Sequence, residues 1–156
     1  MTLPNHDPGD PAGAEARKAA SGGILERIPG YPFAVMTTMG LPPNLSAPGH
    51  AREAVRRVLS ELGLPHTGDA EIVVSELVAN AVRHGATPIS LTLGATPEHL
   101  LIAVQDADPA GRPVPLAADA DDTSGRGMMM VSAVSQRWGY AADDNCKVVW
   151  AELAIV

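Results

Sequence analysis

Apolar residues recur along this chain at two different spacings, and the change of period divides it into elements. From Gly49, Ala51, Ala54, Val55, Val58, Leu59 and Leu62 follow one another at steps of three and four, with Arg52, Glu53, Arg56, Arg57 and Glu61 mostly on the other side. That spacing predicts an amphipathic helix, stopped by Gly63 and Pro65. A second helix is predicted to open at Thr67 or Asp69, each a competent N-cap, and to carry Ala70, Val73, Val74, Leu77, Val78, Ala81 and Val82 as far as Gly85 at the C′ position. After Pro88 the period becomes two. Ile89, Leu91 and Leu93, then Leu100, Ile102 and Val104, flank a turn at 94–99 and predict a β-hairpin ending at Asp106.

The flanks read less regularly. Pro32 to Met39 has the composition of a strand at a sheet edge, Met128 to Arg137 is helical in pattern, and Lys147 to Leu153 reads as a closing strand. The order strand, helix, helix, strand, strand, loop, helix, strand predicts an α+β fold, a two-layer sandwich with helices on one face of a mixed, mainly antiparallel sheet. Its other face is expected to be open or to meet a partner. Of 29 glycines and prolines, 15 lie in the first 49 residues, and positions 1–30 lack a sustained apolar period. These are expected to be a disordered or mobile tail before a domain over 31–156.

Composition narrows the function. With 156 residues, 46% of them hydrophobic, the chain fits one domain with a real core, and no apolar run is long enough to span a membrane. A formal net charge of −7 argues against nucleic acid or an anionic membrane as a direct partner. The single cysteine, Cys146, excludes an internal disulfide framework, and no signal sequence opens the chain, so a cytoplasmic location is expected.

Three segments carry candidate chemistry. On the second predicted helix Glu76, Asn80 and Arg83 or His84 share one face. A carboxylate there can orient or deprotonate a hydroxyl, and an amide oxygen one turn on can hold a hard cation; an ordinary polar surface has the same composition. Ser124-Gly125-Arg126-Gly127 stands between a Pro/Gly/Asp-rich loop and a helix start, where close backbone approach and free amides suit a phosphate, or simply form a turn. Asp106, at a strand end, can accept from an exocyclic amine or merely begin a turn. Met128, Met129 and Met130 are expected to fill core and pocket, Trp138 and Trp150 to pack, and His50, His66 and His99 to lie at the surface.

Together the run Ser75 to Gly85, Asp106, Ser124-Gly125-Arg126-Gly127-Met128 with Val131, Arg137-Trp138-Gly139 and Lys147 to Leu153 resemble the GHKL ATPase superfamily. Within it they are most similar to the anti-sigma-factor serine/threonine-protein kinase branch of actinobacterial ATP-binding regulators. The resemblance covers roughly Phe33 to Leu153 and implies a Bergerat-type ATP-binding fold. By position it assigns Asn80 to Mg2+ coordination, Glu76 to the base acting on the phospho-acceptor hydroxyl, and Asp106 to the adenine amino group. Gly125 and Gly127, with Ser124, Arg126 and Met128, fall in the phosphate-binding second glycine box under a lid of about Ala107 to Thr123; Arg83 and His84 line the pocket. Arg112 and Arg126 are expected to offset local negative charge.

Two features depart from the family pattern. The first glycine box reads Asp106-Ala107-Asp108-Pro109-Ala110, without its glycines, and Thr123 stands where a basic residue is common. The resemblance implies ATP and Mg2+ as cofactors, a sigma factor and an anti-anti-sigma (STAS-type) protein as partners, and a homodimer formed through the sheet. It implies kinase activity on the anti-anti-sigma partner. A module that binds ATP and sequesters its partner without phosphoryl transfer is the alternative.

Overall fold

The computed structural model describes residues 23–111 and 123–155. Most of the expected lid, with Arg112, and positions 1–22 of the expected tail lie outside the described residues. Helix α1 (Ala47–Glu61) buries Ala47, Ala51, Ala54, Val55, Val58 and Leu59, the stripe that its sequence period marks. Asn44 Oδ1 accepts from the Ser46 amide at 2.9 Å at its entry. At its exit Gly63 has φ of +64° and the Leu64 amide reaches back 2.8 Å to the Leu59 carbonyl, a left-handed glycine stop.

Helix α2 (Gly68–His84) starts where Thr67 Oγ1 accepts from the Ala70 amide at 3.2 Å. Asp69 and Glu71 occupy its first turn and Arg83 and His84 its last, matching the helix dipole at both ends. It packs on α1, on α3 (Thr123–Val134) and on the sheet, and so forms the middle of the helical layer. Polar contacts tie α1 to α2: Arg52 Nη1 donates to Ser75 Oγ at 3.0 Å, and Glu71 receives Arg56 at 2.5 Å and His66 at 2.7 Å.

Among the described residues five strands, β1 (Val35–Leu41), β2 (Ile89–Ala95), β3 (His99–Asp106), β4 (Arg137–Ala142) and β5 (Lys147–Ala154), form one sheet in the order β1-β2-β3-β5-β4. All four pairings are antiparallel, so the sheet is uniform rather than mixed. The expected hairpin is β2 and β3, with Leu91 opposite Val104 and Leu93 opposite Ile102. Edge strand β1 runs a little later than expected. Strand β4 was not expected: Arg, Gly and Ala give it weak strand character, and it is held by its pairing with β5. Gly139 is required there, because a Cβ would sit 2.9 Å from Cζ2 of Trp150, whose ring lies across it.

The helix-facing side of the sheet, with Leu91, Leu93, Leu100, Ile102, Val104, Val149, Ala151 and Leu153, joins all three helices in the main core. The opposite side is covered too. Ile24, Leu25 and Ile28, around a short 3-10 turn at Leu25–Arg27, bury themselves against Leu101, Ala103, Val148 and Trp150, with Tyr31 and Phe33 alongside. Arg27 Nη1 fastens this strap to the Ala142 carbonyl at 2.7 Å. Residues 23–30 therefore differ from the tail expected of them: three apolar side chains within five positions are enough to anchor a segment over an apolar face.

Two outcomes test this packing. Ile28→Ala should lower the unfolding free energy by about 2 to 5 kcal/mol in urea titration, whereas a tail residue would register nothing. The Glu71 carboxyl is held below its ordinary 4.5, first by the Arg56 hydrogen bond, then by attraction to Arg56 and His66, against an opposing push from desolvation. A carboxyl lowered in the native state contributes stability above its unfolded value, lost as pH falls through the native one. Glu71→Gln should accordingly flatten the acid limb of a stability-against-pH curve below the ordinary carboxylate range and leave its alkaline limb unchanged.

Candidate nucleotide site

The last two turns of α2 face the end of β3, and two glycines govern the fit. A Cβ at Gly85 would lie 2.6 Å from the Ala81 carbonyl oxygen, 2.7 Å from Asp106 Cγ and 2.8 Å from Asp106 Oδ2. Gly85 has φ of −90°, so it does not take the left-handed C′ conformation expected of it; its missing side chain makes room for a carboxylate. On the other side a Cβ at Gly127 would stand 3.0 Å from Glu76 Cδ and would overlap Oε2. Each glycine is thus occupied by the acid of a neighbouring element.

Glu76 and Asn80 lie half-buried four residues apart. Asn80 Oδ1 is fully enclosed and, among the described residues, accepts no hydrogen bond. An enclosed amide oxygen without a donor costs about 1–3 kcal/mol, so its position calls for a partner that the described residues do not supply. An uncharged oxygen suits Mg2+, which commonly keeps one or two protein ligands and takes others from phosphate and water. Among the described residues no group of three acidic, His or Cys side chains forms a protein-only metal cage. The Asn80 oxygen fits a cation that takes its remaining ligands from phosphate and water.

Asp106 is almost wholly buried. Its Oδ1 accepts from the Asp108 amide at 2.8 Å, and Asp108 Oδ1 in turn accepts from the Ala110 amide at 2.9 Å. Two successive Asx turns shape this segment. Among the described residues only Gly30 and Gly63 have positive φ, so Ala107, Pro109 and Ala110 carry no strain in this loop. The Ala107 amide also donates to the Ala86 carbonyl at 2.7 Å, joining the strand end to the segment after α2. On the other carboxylate oxygen, Lys147 Nζ stands 3.5 Å from Oδ2. Lys147 is buried as well, and sequence reasoning did not single it out; its position opposite Asp106 in the β3–β5 register is the signal that finds it.

The remaining candidates divide. Arg83 and His84 are exposed at the end of α2, and Arg126 is exposed on α3. The Ser124 to Gly127 run lies within the first turns of α3, which begins at Thr123, and not in a loop before a helix at Met128. Its amides then belong to a helix N-terminus, where the first four lack intrahelical acceptors and the dipole favours an anion. Met128 is a core residue, buried with Val131, while Met129 and Met130 face solvent. A cavity of about 320 Å³ borders Asp106, Pro88 and the β4–β5 turn without reaching Glu76 or Asn80. Burial, followed by Asp143, pushes the Cys146 thiol beside it up, which disfavours the thiolate a nucleophile needs.

This arrangement of a helix carrying Glu and Asn, a strand-end Asp and a glycine-bearing helix start is that of a nucleotide-binding α/β sandwich. The family model of histidine kinase-like ATPase domains matches residues 41–153, and the chain belongs to that family. No curated protein matches the chain. The structure is similar to the crystal structure of the RsbU and RsbW domains of Rv1364c from Mycobacterium tuberculosis. That likeness has a TM-score of 0.57 and 20% identity, and it covers 76% of this chain and 31% of that one. The chain thus spans about a third of that structure's length, and at this identity the likeness is one of fold. No described helix is long and apolar enough to cross a membrane.

Gly85→Ala should disturb the site through its backbone clash with Ala81. A loss of about 1–3 kcal/mol in stability is expected by thermal or urea unfolding, larger than for Ala86→Gly next to it, whose side chain is exposed.

Proposed function

We propose that this chain is a Mg-ATP-binding anti-sigma regulatory factor that phosphorylates a serine or threonine of an anti-anti-sigma, STAS-type partner. The observation that carries the reading is the enclosed Asn80 oxygen, without a donor among the described residues, one helical turn from Glu76, which itself rests on Gly127 of the second glycine box. Family membership supports ATP as the nucleotide. The RsbW domain in the similar structure supports the regulatory branch, with the partner's identity carried by analogy alone.

In this reading Asp106 accepts a hydrogen bond from the adenine amine, and the first-turn amides of α3 receive phosphate oxygens. Asn80 Oδ1 holds Mg2+, which when bound neutralises phosphate charge and fixes the triphosphate. Glu76 takes the proton of the incoming hydroxyl as its oxygen attacks the terminal phosphorus and the bond to ADP breaks. Phosphoryl transfer needs chiefly positioning and charge stabilisation, which these few groups supply. The product phosphoserine carries roughly −1.5 to −2 charge, enough to turn a partner out of an acidic or apolar interface.

Calorimetric titration with ATP, with and without Mg2+, tests the reading on the wild type, Asn80→Ala and Glu76→Ala. Asn80→Ala should abolish the Mg2+-dependent part of binding, and Glu76→Ala should bind while transfer to a STAS-domain protein falls about 10²- to 10⁴-fold. Wild-type binding indifferent to Mg2+ would sink the proposal. Mg2+-dependent binding without any transfer would instead identify a module that sequesters its partner.

A further inference from the structure

Lys147 is the least expected group near the site. Only 6% exposed, it lies opposite Asp106 across the β3–β5 ladder, on the side of the sheet that faces the helices. Its Nζ stands 3.5 Å from Asp106 Oδ2, longer than the roughly 2.7–2.9 Å of a closed charge-assisted hydrogen bond. A Cβ at Gly111 would come within 2.8 Å of the same nitrogen, so the loop backbone passes directly over the ammonium. A buried ion pair offsets its desolvation only when further hydrogen bonds satisfy the remaining protons and lone pairs. An ammonium has three donors, and Asp106, with one oxygen already bonded to the Asp108 amide, keeps acceptor capacity on the other. The open pair therefore offers one acceptor and one donor side by side.

We propose, resting on the nucleotide reading above, that Lys147 is a second base-specificity residue, donating a hydrogen bond to ring nitrogen N1 of adenine while Asp106 accepts from the neighbouring 6-amino group. The two edges match: a 6-aminopurine presents a donor and then an acceptor, and the Asp106–Lys147 pair presents an acceptor and then a donor. In the same pose a 6-ketopurine would set its oxygen against the carboxylate and its N1 hydrogen against the ammonium. Lys147 thus acts on the base itself and sharpens a selection that Asp106 alone would leave to one bond.

The test compares ATP, 1-deaza-ATP and inosine triphosphate by calorimetry in the full chain. Wild type should bind ATP about ten- to a hundredfold more tightly than 1-deaza-ATP, which keeps the amine and lacks the N1 acceptor, and should discriminate against inosine triphosphate at least as strongly. Lys147→Met should bring the ATP to 1-deaza-ATP ratio near one, and Lys147→Arg should restore part of it; a purely structural role would weaken both nucleotides alike and leave the ratio intact. Equal wild-type affinity for ATP and 1-deaza-ATP, which needs no variant to fold, overturns the role of Lys147 and leaves the nucleotide reading standing. Failure of the wild type to bind any of the three overturns both.

Discussion

The close approach of Asp106 to Gly85 sets the geometry on which the site depends. A strand end and a helix end meet there with no side chain between them, since any Cβ at 85 would fall within 2.6 Å of the Ala81 carbonyl and 2.7 Å of the Asp106 carboxyl carbon. The Ala107 to Ala86 hydrogen bond closes the same junction from the backbone side. With that joint fixed, Asn80 lies five residues and Glu76 nine residues before Gly85, about one and a half and two and a half turns back along α2. Gly127 repeats the device on α3 by admitting Glu76. Two absent methyl groups thus align three elements, and packing in the main core holds them so.

The sheet gives this joint its rigidity because its central strands are buried on both faces. Strand β3 carries Leu100, Ile102 and Val104 toward the helices and Leu101 and Ala103 toward the strap, and β5 alternates in the same way through Val149 and Ala151 against Val148 and Trp150. Antiparallel sheets commonly leave one face to water. Here Ile24, Leu25 and Ile28 remove most of that option. Asp106 and Lys147 stand opposite each other at the adjoining ends of these same two strands.

Both helices of the α1–α2 pair were legible in the sequence because their apolar stripes are unbroken and their ends are marked by Gly63 and Thr67. The hairpin was legible for the same reason in its own period. The cover over the second face was not, although the continuous apolar run from Leu100 to Val104 is what a strand buried on both sides looks like. Reading only every second residue of that run hid the demand for a cover, and with it the role of Ile24 to Ile28. Strand β4 escaped because Gly139 looks like a strand breaker until Trp150 is seen lying across it. At the site, Glu76, Asn80 and Asp106 could be singled out by type and spacing. Lys147 could not, because its partnership with Asp106 exists only through the register of two strands, between residues 41 positions apart in the chain.

The loop after Asp106 is turned by carboxylates rather than by glycines. Glycines serve where the backbone must take positive φ or pass close to another group. Neither demand arises at Ala107 or Ala110, because the Asp106 and Asp108 carboxylates turn the chain by accepting amides two residues ahead, all at negative φ. Pro109 further narrows the conformations open to the unfolded segment, so order in the native loop is reached with a smaller loss of entropy. The glycine at 111 remains where closeness is required, beside the Lys147 ammonium. The Asx turn thus fixes the Asp106 carboxylate by one of its own oxygens and leaves the other beside the Lys147 ammonium.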